Sequence, residues 1–338
     1  MGMQPFIIAG LRSNLQKEMH MRFTDSKLVQ AGLLSILPLT FSMPAMACSS
    51  CGCTLNSDWT TQGYSTGEGV RFDIRFDYFK QNDYRHGTSS VSRDDVNASG
   101  NEVQDTTINR NLTLGLDYGI NPDWAVSVQL PVYSRSHGTY GANYPVLDDT
   151  SSSKGIGDLR VTARYQGLTA DHSTGLTFGL KLPTGETDDT FASGAALDRG
   201  LQLGTGTTDL LLGGYHFGNI NRDWDYFAQA TIQVALNSHN DFRPGNGLNA
   251  SAGVRYMGFE TFMPQLQLNA RVEKRESGAN ADVANSGATL IYISPGATVP
   301  INKSVQAFGF VQVPIYQRVN GYQIEPEVLL SAGLRYSF

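Results

Sequence analysis

From Val70 onward the chain alternates strictly between apolar and polar residues: Val70, Phe72, Ile74, Phe76 and Tyr78 on one parity, Arg71, Asp73, Arg75 and Asp77 on the other. Successive side chains of an extended chain point to opposite faces, so such a stretch is a ribbon with one apolar and one charged side. The pattern returns with Leu112, Leu114, Leu116 and Tyr118, and again with Trp124, Val126, Val128 and Leu130. Further instances run over 158–165, 224–234, 265–273 and 327–338. A strand of about 9–11 residues is the length that crosses a bilayer within a barrel. Composition agrees: 36 Gly, 15 Tyr and 16 Phe with only 17% charged residues suit strands and turns better than helices.

A soluble sandwich also alternates, so the turns and the chain ends carry the distinction. Short turns fall at Gly119–Asp123, Asn219–Asp223 and Ile301–Lys303, while long polar stretches fall near 85–105, 138–155, 185–204, 238–247 and 276–287. Short turns on one side and long loops on the other are the asymmetry of an outer-membrane barrel, and the segments number about twelve. Several apolar faces start or stop with Trp, Tyr or Phe, as aromatic girdles require. The chain ends on Leu334, Tyr336 and Phe338 at alternate positions, similar to the terminal-strand signature read by the outer-membrane assembly machinery. The expected fold is therefore an all-β, transmembrane, antiparallel up-and-down barrel spanning 70–338.

The start of the chain reads as an address. After Met21 come Arg22 and Lys27, an apolar run from Leu28 to Phe41, and Ala45-Met46-Ala47. That is the pattern of a cleaved bacterial signal peptide, expected over 1–47, with 1–20 an upstream extension. No later stretch approaches twenty apolar residues, so export without a helical span leaves the periplasm, secretion or a membrane barrel, and the period-two alternation selects a barrel in the cell outer membrane. A net charge of −6 argues against a nucleic-acid partner, whose binding face would be basic.

Segment 48–69 carries all three cysteines, Cys48, Cys51 and Cys53. Three thiolates spaced C-x-x-C-x-C suit Cu(I) or Zn. An oxidising compartment instead favours a disulfide, and a lipidated Cys48 is a third reading. No cofactor is expected beyond a copper or zinc ion at these residues.

The glycine stretches Gly155-Ile156-Gly157-Asp158 and Gly204–Asp209 lead into strands rather than helices, so they mark close backbone approach instead of phosphate loops. Together with Tyr165 and with Leu182-Pro183-Thr184-Gly185 they resemble the family of outer-membrane transporters linked to the meta-pathway of phenol degradation. The resemblance covers roughly 105–338. It implies a barrel that passes hydrophobic compounds across the outer membrane; the cysteines lie outside the pattern.

An enzyme is not expected. Ser136-His137 and Ser238-His239 are adjacent in sequence, and neighbours on a strand face opposite ways, which defeats a nucleophile–base pair. The inward parity supplies the candidate selectivity residues: Arg71, Asp73, Arg75, Asp77, Asp117, Asp158, Arg160, Arg164, Lys181, Arg255, Arg271, Glu273 and Arg335. Rings of fixed charge select solutes in a pore, whereas mutual pairing would merely fill it. The reading is a channel or transporter for small, hydrophobic or aromatic solutes, with membrane lipid around it. The alternatives are a metal-handling protein using Cys48–Cys53, and a structural barrel that scaffolds a partner.

Overall fold

The computed structural model describes residues 67–141 and 143–338. The expected signal peptide and the three cysteines lie outside these residues. The chain order is β1 (Gly69–Gly87), β2 (Ser89–Val91), α1 (Arg93–Ala98), β3 (Val103–Gly119), β4 (Trp124–Gly141), β5 (Asp149–Ile156) and β6 (Leu159–Tyr165). There follow β7 (Thr174–Leu182), β8 (Asp209–Asn219), β9 (Trp224–Ala235), β10 (Gly247–Tyr256), β11 (Met263–Glu273), β12 (Ala288–Pro300) and β13 (Val305–Ser337).

All pairings are antiparallel, and β13 pairs with β1, closing the sheet into a barrel. β13 runs 33 residues, yet Ser337 N donates to Ser304 O at 2.8 Å. Ends that meet require a reversal, which falls at Gly321, where φ is 61°. One arm pairs with β12 and the other with β1. Eleven strands thus form the wall, with β2 and β5 additional, and the folded β13 makes twelve crossings, the number that the periodicity predicts.

The polarity of the wall is inverted relative to a soluble protein. Leu116, Leu212, Leu268 and Leu330 leave nearly half their surface uncovered on the outside. On the inside Gln267, Asn269, Gln312 and Gln323 are fully buried. An apolar exterior around a polar interior is stable only where the surrounding solvent is itself apolar, and a closed wall leaves no backbone edge to satisfy in lipid. The sandwich alternative is excluded by this arrangement.

Three short turns share one device. The side-chain oxygens of Asn121, Asn221 and Asn302 each accept backbone N–H bonds from the residues two and three positions later, all at 2.9–3.0 Å. An asparagine that bonds its own backbone in this way fixes a tight turn and the register of its hairpin. Aromatic rings gather at this end: Trp124 against Tyr165 (4.9 Å), Trp224 against Tyr256 (5.1 Å) and Tyr336 against Phe338 (4.5 Å). At the other end α1 is capped by Ser92 and Asp95, and its Val96 is buried with Tyr84, Val103 and Ile324.

One rail of the wall is interrupted. The far half of β4 pairs with β5, from Val132↔Ile156 to Thr139↔Asp149, and its near half pairs with β6, from Trp124↔Tyr165 to Gln129↔Arg160. Pro131 sits at the changeover and accepts from Gly157 N at 2.8 Å. β6 and β7 have only seven and nine residues, so here the wall is low.

Candidate functional site

The three stretches that carry the family resemblance meet at this interruption. Asp158 accepts from Lys181 Nζ at 2.6 Å, from Thr205 N at 3.1 Å and from Gly185 N at 3.2 Å. Thr184 Oγ1 donates to Gly157 O at 2.7 Å and accepts from Leu159 N at 2.9 Å. Lys181 Nζ also donates to Thr205 Oγ1 and to Thr207 O, and lies 3.4 Å from Asp209. A Cβ on Gly204 would lie 2.5 Å from Gly185 O, so the two backbones touch only because both residues lack one. The glycines make a latch that pins the segment between β7 and β8 to the wall.

That segment folds inward. Arg135 of β4 donates to Gly200 O at 3.1 Å and to Gln202 O at 3.3 Å, holding the single 3-10 turn Arg199–Leu201. Leu197, Leu201 and Leu203, in and beside that turn, are buried. Arg199 in turn lies over the ring of Phe242, 5.7 Å from its centre, so the loop between β9 and β10 joins the constriction.

Every expected selectivity residue lies on the inner face, and most are paired. Asp117 accepts from Arg71 at 2.5 Å and from Arg164 at 3.2 Å. Arg75 meets Asp77 at 2.8 Å, and Arg271 meets Glu273 at 2.6 Å, each pair being two positions apart on one strand. Arg335 reaches Asp73 at 3.3 Å across the seam, and Arg255 is clamped by Asp225. Leu334, Tyr336 and Phe338 face outward.

Beneath the inward loop lies a cavity of about 270 Å³. Its lining holds six cations, Arg75, Arg135, Arg160, Lys181, Arg199 and Arg271, against four carboxylates, Asp77, Asp158, Glu273 and Glu276. Phe79, Tyr133, Leu203 and Phe242 supply apolar surface. A closed barrel, lipid outside and a charged chamber within, has a counterpart among solved structures. An outer membrane channel from Pseudomonas putida F1 superposes with a TM-score of 0.61 at 14% identity, over 80% of this chain and 96% of that one. The two share a fold.

Matches of lower similarity include the toluene transporters TbuX of Ralstonia pickettii (TM-score 0.43, 11% identity, 80% of this chain and 90% of that one) and TodX of P. putida (0.41, 11%, 80% and 89%). No family model matches the chain, and no curated protein matches it.

Sequence reasoning took 185–204 as a polar external loop and missed the constriction. The apolar spacing Leu197, Leu201, Leu203 was the available signal, since a solvated loop has no use for three leucines. Arg135 was missed as well, because its role is to hold loop carbonyls that no strand periodicity foretells.

Proposed function

We propose that the protein is an outer-membrane channel that passes small solutes, including hydrophobic and aromatic ones, and that it is not an enzyme. The observation that carries this reading is the polar chamber inside an apolar-walled barrel, narrowed by a loop fastened at Arg135 and Asp158. A structural barrel would have no need of a chamber with apolar and charged walls side by side. The meeting of the three resemblance stretches at one latch supports placing the chain with transporters tied to aromatic catabolism. In this reading the end with the asparagine turns faces the periplasm, and the end bearing α1 faces the exterior.

The test is single-channel recording of the purified mature protein in planar bilayers, with liposome uptake of small neutral aromatics alongside. Discrete conductance steps and uptake above protein-free vesicles are expected. Silent bilayers together with uptake at the protein-free rate would refute a channel.

A further inference from the structure

The cavity contains a cation that the protein itself does not neutralise. Arg160 lies on β6 between Gln129 and Lys181 and lines the chamber. Among the described residues its side chain makes no hydrogen bond and no ion pair. The neighbouring carboxylates are engaged elsewhere. Asp158 holds Lys181 and Thr205; Asp209 holds Lys181, Thr207 and Gln233; Asp77 holds Arg75 and Ser331; Glu273 holds Arg271. A guanidinium has five donors and no acceptor, and those of half-buried Arg160 face the chamber instead of a protein acceptor. Every other expected lumen cation has such a partner.

The surroundings repeat the demand. Arg75 and Arg271, although paired, line the same chamber and add to the positive field at Arg160, which Asp209, itself bound to Lys181, offsets without an ion pair of its own to Arg160. Asn111 and Asn249 also line it, and each leaves a buried side-chain oxygen without a hydrogen-bond partner. An amide can turn end for end and offer its N–H instead, so these two residues can serve an acceptor. At about 270 Å³ the space lies below the range of drug-sized pockets and suits a single small molecule.

We propose that this chamber is a binding site for a small aromatic carboxylate, with Arg160 as the fork that receives the carboxylate. Phe79, Tyr133 and Phe242 form the apolar wall for the ring. The planar guanidinium matches a carboxylate with two parallel bonds, which a solvated lysine would not do. The inference rests on the channel reading and names the class of solute that pauses within it.

The test is calorimetric titration of the detergent-solubilised mature protein with benzoate, benzamide and acetate, paired with reversal potentials in bilayers under a salt gradient. Benzoate should bind at least tenfold more tightly than its neutral isostere benzamide, and more tightly than acetate. The channel should prefer anions to cations. Arg160→Gln should abolish the preference for benzoate over benzamide, while Arg110→Gln, on the exposed face, should leave it intact. Should the glutamine variant fail to assemble, Arg160→Lys retains the charge, loses the fork, and should weaken benzoate several-fold. Equal affinity for benzoate and benzamide in a conducting channel overturns the site and leaves the channel standing. So does an Arg160 variant that binds as the native protein does. A barrel that neither conducts nor binds overturns both.

Discussion

Lys181 Nζ sits 2.6 Å from Asp158 Oδ2, and this ion pair joins β7 and the junction between β5 and β6 to the segment that constricts the lumen. Both side chains are almost fully buried. Removing one partner of such a pair strands the other in a medium that cannot solvate it, at about 3–5 kcal/mol. Asp158→Ala also orphans Gly185 N and Thr205 N. The variant should unfold at lower urea and expose the bond after Arg199 to trypsin, where the native protein resists. Gly204→Ala should reproduce the trypsin sensitivity while removing neither charge, because its Cβ would crowd both Gly185 O and Asp158 Oδ1.

The outer wall predicts a depth dependence. Leu268 lies mid-strand on β11 and faces outward, so Leu268→Arg should cost about 2–4 kcal/mol in lipid vesicles. Tyr118→Arg, one residue from the asparagine turn, should cost about 0–1 kcal/mol. Equilibrium unfolding from vesicles measures both, and equal costs would contradict the assigned membrane depth.

Orientation follows from loop length. Single cysteines at Ser90, Ser152 and Gly194, with Cys48, Cys51 and Cys53 replaced by serine, should react with a membrane-impermeant maleimide on intact cells. Cysteines at Asn121 and Asn302 should react only after the outer membrane is breached. The reverse pattern would invert the topology.

Glu102, just before β3, has its carboxyl held above the ordinary value chiefly by burial, against a hydrogen bond from Thr139. Asp282 is raised for the same first reason. A carboxyl whose folded pKa exceeds its unfolded one favours the fold when protonated, and loses that contribution as pH rises through the raised value. The loop 276–287 should therefore exchange amide hydrogens less readily at pH 4 than at pH 7 once intrinsic rates are divided out. Glu102→Gln should flatten the dependence.

The cysteine segment has its own assay. Mass spectrometry of the peptide that carries Cys48, Cys51 and Cys53, from protein isolated from the outer membrane, distinguishes a diacylglycerol on Cys48, a disulfide, and metal retained by the three residues under reducing conditions. The proposed copper or zinc site requires the last of these, and three free thiols without bound metal would end it.

Much of the wall was legible because parity is a local property. Asp73 and Leu334 declare their faces within a few residues of chain, and lipid outside makes the contrast between faces strong. The partners were not legible. That Arg335 would meet Asp73, or Arg164 meet Asp117, depends on which strands become neighbours and at what stagger, and no short window contains that information. The break between β5 and β6 was visible only as glycines. Nothing in the local sequence marks Pro131 as the residue that divides β4 into two pairing partners. Arg160 looked like its twelve companions until their partners were known.

The closing seam has a consequence for how the chain is strung. Phe338 N donates to Val70 O at 3.0 Å, so the first and last strands finish side by side. The wall is in effect a loop of hairpins with an arbitrary cut. A permuted gene that fuses Phe338 to Gly69 through a short linker and opens at Asn221-Arg222 would preserve every rung of the ladder. It would, however, move the terminal aromatic from the end of the polypeptide to its middle. Such a molecule separates what the finished barrel needs to stand from the role proposed for the terminal aromatic in building it.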